Sequence, residues 1–492
     1  MQKTAVRSIS LVALLTVTAK ALGMLRDILQ ARAFGAGAQM DAYTSASNFT
    51  VYIFSACAYA LCIAAVAVVG RKLPCGRPAA QAAADRLISV CLCAACAVAA
   101  VLVLLGAFGV FGSALSPYMV ILSLSLPVIV LTYMFMAYFQ VLGHYSVQGS
   151  LSLLYNIALC LVLFVWGGRM SVPVFAACMS GAWLLQLATL VPCFAKERYR
   201  FRFSLKAERG ELVTFLKTAA ATLFTTSAFL LCYLCDSAQS AFMGEGVVTA
   251  FSYADKLFTP LVTTIIYSIS AVMFPRWSEK SRTLEPEQYR RYVLRAVVNT
   301  VMFMLPVSAV VAAFGVPVVR VLFEGGSFSL QSATLAGQVF SCYALGMVGF
   351  ALLDLVSKAF YAQDRIKTPL IVNLSAFAVN LLLNWFVSSL GWGAPAVAAC
   401  TALVLTAAGA VMTCLFAKGI KGEPMLSLIV KSAVLSGVMF IVLHLLSGTV
   451  TNPTDGKIML IVKCAAPGIA AAAVYILLMW KHIRKTVKEG EK

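Results

Sequence analysis

The sequence predicts an all-α polytopic membrane protein of about fourteen transmembrane helices: two six-helix lobes around a central cavity, followed by two C-terminal helices. Three observations carry the membrane class and the span count; the lobes rest on an internal echo and the cavity on charges inside the spans. Apolar residues make up 61% of the 492 and charged residues 12%, with a mean hydropathy of +0.91, whereas soluble domains are roughly one-half apolar and one-quarter charged. Largely uncharged stretches of about 20 residues, the length a helix needs to cross ~30 Å of hydrocarbon, recur along the whole chain. The third observation is the net charge of +19, which gathers in alternate connections, the bias expected of a multi-pass chain.

Apolar runs between charged or Gly/Pro breaks place the spans near 9–33, 42–69, 87–111, 118–142, 149–167, 172–194, 212–235, 247–275, 293–314, 333–358, 369–389, 395–416, 425–447 and 459–480. The first run is too long for a signal peptide, contains Lys20, Arg26 and Asp27, and lacks a small-residue cleavage site, so it reads as a retained helix. One set of connections holds Arg71, Lys72, Arg77 and Arg86, then Lys196 to Arg209, then Arg276 to Arg295, and finally Lys481 to Lys488. The alternate connections are nearly bare. An even span count and this bias predict cytoplasmic termini. They also account for the net charge, so no nucleic-acid partner is called for.

Several classes are set aside by what the chain lacks. Its fifteen cysteines lie mostly in apolar runs, where cysteine acts as a small hydrophobe. Cys232 and Cys235 have redox-motif spacing without a βαβ context, and the three histidines are scattered, so no bound metal is expected beyond a monovalent cation. The acids near the bare side are Asp236, Glu245, Glu324 and Asp455, with no paired-carboxylate, Ser/His/Asp or phosphate-loop pattern anywhere. The reading is a non-enzymatic monomer, with Na+ or the membrane potential as the coupling force.

An internal echo divides the chain. Tyr138 to Asn156 and Tyr361 to Asn380 have nearly equal spacing, six spans apart. This suggests lobes over 1–209 and 210–420 and two extra helices with a basic tail over 421–492, with cargo bound between repeats near the midplane.

Charges inside the spans are costly and therefore point to a cavity or a partner. Lys20, Gly23, Arg26 and Asp27 lie in span one. At ~100° per residue Lys20 and Asp27 share a face and Arg26 is turned away, either aimed by a bend near Gly23 or paired with a carboxylate. Asp255 and Lys256 lie in span eight, with Lys256 read as an anion contact or as a salt-bridge partner. Asp236, the i,i+4 pair Asn380 and Asn384, and Thr401 could hold a monovalent cation or simply bond helices together. Asp41, after the Gly35-Ala-Gly37 turn, reads as the N-cap of span two. Asp354 and Lys358 read as a structural i,i+4 pair.

Leu22-Gly-Met-Leu-Arg26-Asp27, Ala31-Arg-Ala-Phe-Gly35-Ala-Gly37 and Asp41-Ala-Tyr43 resemble the opening of the MurJ/MviN family of lipid II flippases. Tyr253-Ala-Asp255-Lys256-Leu257, Leu322-Phe-Glu324-Gly-Gly-Ser-Phe328 and Phe360-Tyr-Ala-Gln-Asp364-Arg-Ile-Lys-Thr368-Pro369 resemble later blocks of that family. The resemblance covers essentially the whole chain and implies the fold of the multidrug/oligosaccharidyl-lipid/polysaccharide exporter superfamily. It further implies a groove on the two extra helices for a lipid tail. The family's cavity arginines correspond to Lys20, Arg26 and Lys256, and its cavity aspartate to Asp41. Two of the three cations are lysines here, which lack the bidentate fork of arginine. Span two also departs, since Asn48 to Ala60 carries no charge where the family has basic residues and a glutamate. The implied cargo is undecaprenyl-pyrophosphate-linked lipid II, with membrane lipids and envelope-synthesis proteins as neighbours. The rival readings are another lipid-linked oligosaccharide, a drug/cation antiporter and a membrane scaffold.

Overall fold

The computed structural model describes residues 2–206, 208–226, 228–420, 425–452 and 454–490, and among them the only β-type pairing is an isolated bridge between Gly325 and Phe328. Residues 421–424, where the sequence reading begins its third region, lie outside the described ones. Two compact units divide the chain, Met1–Phe224 and Thr225–Lys492.

The first unit contains α1 (Gln2–Phe34), α2 (Ala38–Gly70), α3 (Arg77–Ala107), α4 (Ser116–Val141), α5 (Ser146–Arg169) and α6 (Val172–Glu197), with α7 (Arg209–Thr226) following. The second contains α8 (Ala228–Ser240), α9 (Val247–Thr283), α10 (Pro286–Ala313), α11 (Gly315–Phe323), α12 (Leu330–Leu345), α13 (Met347–Tyr361), α14 (Lys367–Ser389), α15 (Ala394–Ala417), α16 (Met425–Val450) and α17 (Lys457–Gly490). Eleven helices among the described residues are long and apolar enough to cross a membrane, twelve if α12 and α13, bent by 43° at Gly346, make one span. The two remaining spans of the sequence reading fall on α1, which carries Lys20, Arg26 and Asp27, and on α7 with α8.

Pro78, Pro117 and Pro395 occupy first-turn positions, where the missing N–H breaks no helical bond, whereas Pro260 and Pro275 lie inside α9, Pro306 inside α10 and Pro467 inside α17. Helix α2 contains a π-helical turn at Asn48–Tyr52, a register change that often marks a functional segment. Its start corrects one expectation: Gly37 is the N-cap, and Asp41 lies in the first turn with its N–H bonded to the Gly37 carbonyl. There its charge complements the positive end of the helix dipole.

Packing in a bilayer depends on close contact rather than on exclusion of water. In the first unit Phe175 of α6 packs at a tilt against Phe34 of α1 and Tyr43 of α2, at 5.0 and 5.6 Å between ring centroids. In the second, Phe258 of α9 packs between Phe229 of α8 and Tyr343 of α12. Helices α13 and α15 meet backbone to backbone: a methyl group on Gly349 would overlap the main chain at Thr406, and one on Gly409 would come within 2.8 Å of the Gly349 carbonyl. The Asp354–Lys358 pair forms as read, with Nζ to Oδ2 at 2.5 Å, and Ser270 of α9 joins it.

Candidate substrate and cation sites

In the first unit, α1 brings the intramembrane charges together. Arg26 folds back on its neighbour Asp27, with Nη2 to Oδ1 at 2.9 Å, while its Nη1 donates to Asn156 Oδ1 of α5 at 3.0 Å. The Tyr155 ring lies 5.6 Å from the guanidinium. Asn156 is buried and also donates through Nδ2 to the carbonyl of Ala19, one turn before Gly23. Gly23 lies against this amide, and a Cβ there would meet it at 3.6 Å, an ordinary contact. The pairing of Arg26 with a carboxylate is thus the reading that holds. Its side chain is still 18% exposed, and three of its five N–H groups are engaged. Lys20 is exposed on the same helix, and Asp41 is partly buried on α2.

In the second unit Lys256 places its Nζ 4.7 Å from the Tyr253 ring centroid, and Asp255 accepts from Thr259 at 2.5 Å. A deeper polar cluster surrounds Asp236 of α8. Its Oδ1 accepts from Asn384 Nδ2 of α14 at 2.5 Å, its Oδ2 from Tyr343 of α12 at 2.7 Å, and Thr401 of α15 lies 2.8 and 2.7 Å from the two oxygens. Asn380 donates to Thr401 at 2.7 Å and accepts from Asn384 at 3.3 Å. Asp236, Asn380 and Thr401 are each 0% exposed. The four residues grouped from sequence do meet, and Tyr343 is the member that reading missed: a tyrosine in an apolar run looks like core. Asn384 Oδ1 is buried without a hydrogen-bond partner. The amide oxygens of Gln363 and Asn373 are likewise unpartnered, but Asn384 is the one whose amide also bonds this carboxylate.

The donor set defines what the cluster suits. One carboxylate with amide and hydroxyl oxygens is the hard-oxygen chemistry of alkali and alkaline-earth cations, and a lone carboxylate matches a single positive charge. Among the described residues no three His, Cys, Asp or Glu side chains gather.

Elsewhere in the second unit, α10 and α17 enclose an apolar groove of about 620 Å³ lined by Met302, Phe303, Pro306, Val310, Ile469 and Tyr475. Tyr475 closes its wall by donating to the Met302 carbonyl at 2.8 Å.

The family model described as "Lipid II flippase MurJ" matches residues 30–462. A probable lipid II flippase MurJ of Rhizobium meliloti (strain 1021) is 29% identical over 139 residues, covering 28% of this chain and 26% of that protein. The match therefore spans about a quarter of that relative's length. A probable lipid II flippase MurJ of Thermotoga maritima is 23% identical over 377 residues, covering 75% and 76%. Among solved structures, a lipid II flippase MurJ in an inward closed conformation matches with a TM-score of 0.79 at 18% identity, covering 96% of this chain and 99% of that one. At that identity the likeness speaks for the fold.

Proposed function

Because this chain belongs to the lipid II flippase MurJ family, we propose that it carries undecaprenyl-pyrophosphate-linked peptidoglycan precursor, lipid II, from the inner to the outer leaflet of a bacterial cytoplasmic membrane by alternating access. The single observation that carries the reading is the family match over residues 30–462, and the intramembrane cations fit it chemically. Lys20, Arg26 and Lys256 attract the pyrophosphate, whose oxygens make strong charge-assisted bonds with such cations. Asp41 joins the cargo site by resemblance. Asp27 and Asn156 hold the guanidinium so that it is presented rather than free to swing. The α10–α17 groove takes a length of the polyprenyl tail, which is apolar like its lining.

Asp236, Asn380, Asn384 and Thr401 would hold the coupling ion, Na+ being the chemistry that the set suits. The orphaned Asn384 Oδ1 supports this, because a cation is the partner it lacks. When bound, the ion neutralises the buried carboxylate; the chain's own part is to hold Tyr343, Asn384 and Thr401 against it. Moving one charge through 100 mV is worth ~2.3 kcal/mol, enough to bias the return step.

A second reading, export of another lipid-linked oligosaccharide, is favoured by one departure: Asn48 to Ala60 in α2 is uncharged. Complementation of a bacterium depleted of its essential lipid II flippase separates the two. Rescue by the wild-type chain, lost in Lys20→Gln and Lys256→Gln with normal insertion, is the expected result. Failure by a well-inserted wild-type chain would move the cargo to the other glycan.

A further inference from the structure

Residues 198–206 follow α6 as an extended strap with no role in the transport cycle above. Arg198 turns the chain in the left-handed region at φ 49°. Three anchors then tie the strap to α3. Gln81 Nε2 donates to the Arg200 carbonyl at 2.9 Å, the Arg202 amide donates to Asp85 Oδ2 at 3.3 Å, and the Ser204 amide donates to Ser89 Oγ at 3.0 Å. The Tyr199 hydroxyl donates to the other oxygen of Asp85, and burial raises its own pKa. Two residues of extended chain advance about 6.6 Å and four residues of helix about 6 Å. The strap therefore runs alongside α3, one helical turn for every two residues, toward the apolar interior of that helix. Ser89 lies just inside the apolar run that begins at Leu87, while Gln81 lies about 12 Å further out.

Alternation gives the strap two edges. On one, Tyr199 is buried and packs with Phe135, but Phe201, Phe203 and Leu205 are 36%, 59% and 56% exposed. On the other, Arg198, Arg200, Arg202 and Lys206 are exposed. The ion pairs at this end of the unit use other residues: Arg77 and His144 on Glu197, Lys72 and Arg86 on Glu211.

We infer that the strap 198–206 is a binding surface for anionic phospholipid headgroups of the leaflet it borders, with Phe203 and Leu205 entering the acyl boundary and Arg198, Arg200 and Lys206 meeting the phosphates. Charge complementarity selects an anion, and the depth reached through Ser204 places the apolar edge level with hydrocarbon. An acidic soluble protein would use only the first of these features. The inference does not depend on which cargo crosses the membrane.

The test places photoreactive p-benzoylphenylalanine at position 203 of the full-length chain, reconstituted without cargo in vesicles of equal phosphatidylglycerol and phosphatidylcholine. Lipid adducts are counted by mass spectrometry. Enrichment of phosphatidylglycerol by roughly fivefold or more is expected, the preference one basic side chain near an anionic surface confers. Arg200→Gln/Lys206→Gln should lower it, and adding Arg198→Asn, which tolerates the left-handed turn, should bring it to parity. Parity in the unsubstituted strap, adducts to protein alone, or an enrichment unmoved by these changes would overturn the inference. So would lipid adducts that appear only after a pyrophosphate-linked lipid is added, because the strap would then serve cargo.

Discussion

Asp27 of α1 and Asp236 of α8 are buried carboxylates, one in each unit, and each shares its surroundings with an asparagine, Asn156 of α5 in one and Asn380 of α14 in the other. The difference lies in how the charge is answered. Asp27 has a guanidinium on the adjacent residue, locked to α5 through Asn156. Asp236 receives hydrogen bonds from Tyr343, Asn384 and Thr401, all neutral, and the Asn384 carbonyl beside it has no hydrogen-bond partner. Neutral donors support a buried carboxylate without cancelling its charge. On the proposed reading, one unit carries its own cation and the other accepts one that comes and goes.

The comparison breaks most sharply at Asp236. Asp236→Asn keeps the shape of the cluster but removes the charge, so flipping in vesicles should fall by about tenfold or more and lose any Na+ dependence, one lost charge contact being worth on the order of 1.4 kcal/mol or above. A Na+ dependence that survives would dissolve the distinction. On stability rather than transport the large effect is Arg26→Met, which takes the guanidinium from Asp27; removing one partner of a buried pair costs about 3–5 kcal/mol. Thermal unfolding in detergent should show that loss, and Arg26→Met/Asp27→Leu should recover most of it without restoring transport. If the double variant transports normally, Arg26 serves structure alone.

Smaller changes sharpen the contrast. Thr401→Val removes the hydroxyl that serves both Asp236 oxygens and leaves Asn380 without its acceptor, at about 1–3 kcal/mol. Its effect on Tm should shrink in Asp236→Asn, since the two act on one cluster. The smallest effect lies outside both clusters, at Glu211. Burial there opposes ionisation, but hydrogen bonds from Lys72 and Arg86 outweigh it and hold the carboxyl below its usual range. A depressed pKa stabilises the fold above the unfolded value of ~4.3 and ceases to do so as pH falls through the folded value. Glu211→Gln should therefore be less stable at neutral pH by up to about 1 kcal/mol, and melting curves of the two chains should converge in acid.

Most of the fold was legible because hydropathy and charge bias act on whole spans. The Asp236 cluster was half legible: Asn380 and Asn384 share a helical face, and Asp236 and Thr401 are polar islands in apolar runs, but nothing in the sequence marks Tyr343 as a hydrogen-bond donor. Arg26 and Asp27 were harder. Helical geometry turns their Cβ atoms about 100° apart, yet the long arginine stem folds back across that angle to a neighbour. Asn156 stood out only as an echo of Asn380, with no sign that it would bridge α5 to α1. Residues 198–206 read as loop charge, because amide bonds to Asp85 and Ser89 depend on a chain path that composition does not encode.

The claim that only one lobe accepts a mobile cation is tested most directly by melting the purified protein in NaCl and in choline chloride of equal ionic strength. The account predicts that Na+ raises the Tm of the wild type and of Arg26→Met/Asp27→Leu, and leaves that of Asp236→Asn unchanged. Equal melting in the two salts for the wild type, or a Na+ shift that persists in Asp236→Asn, would contradict it.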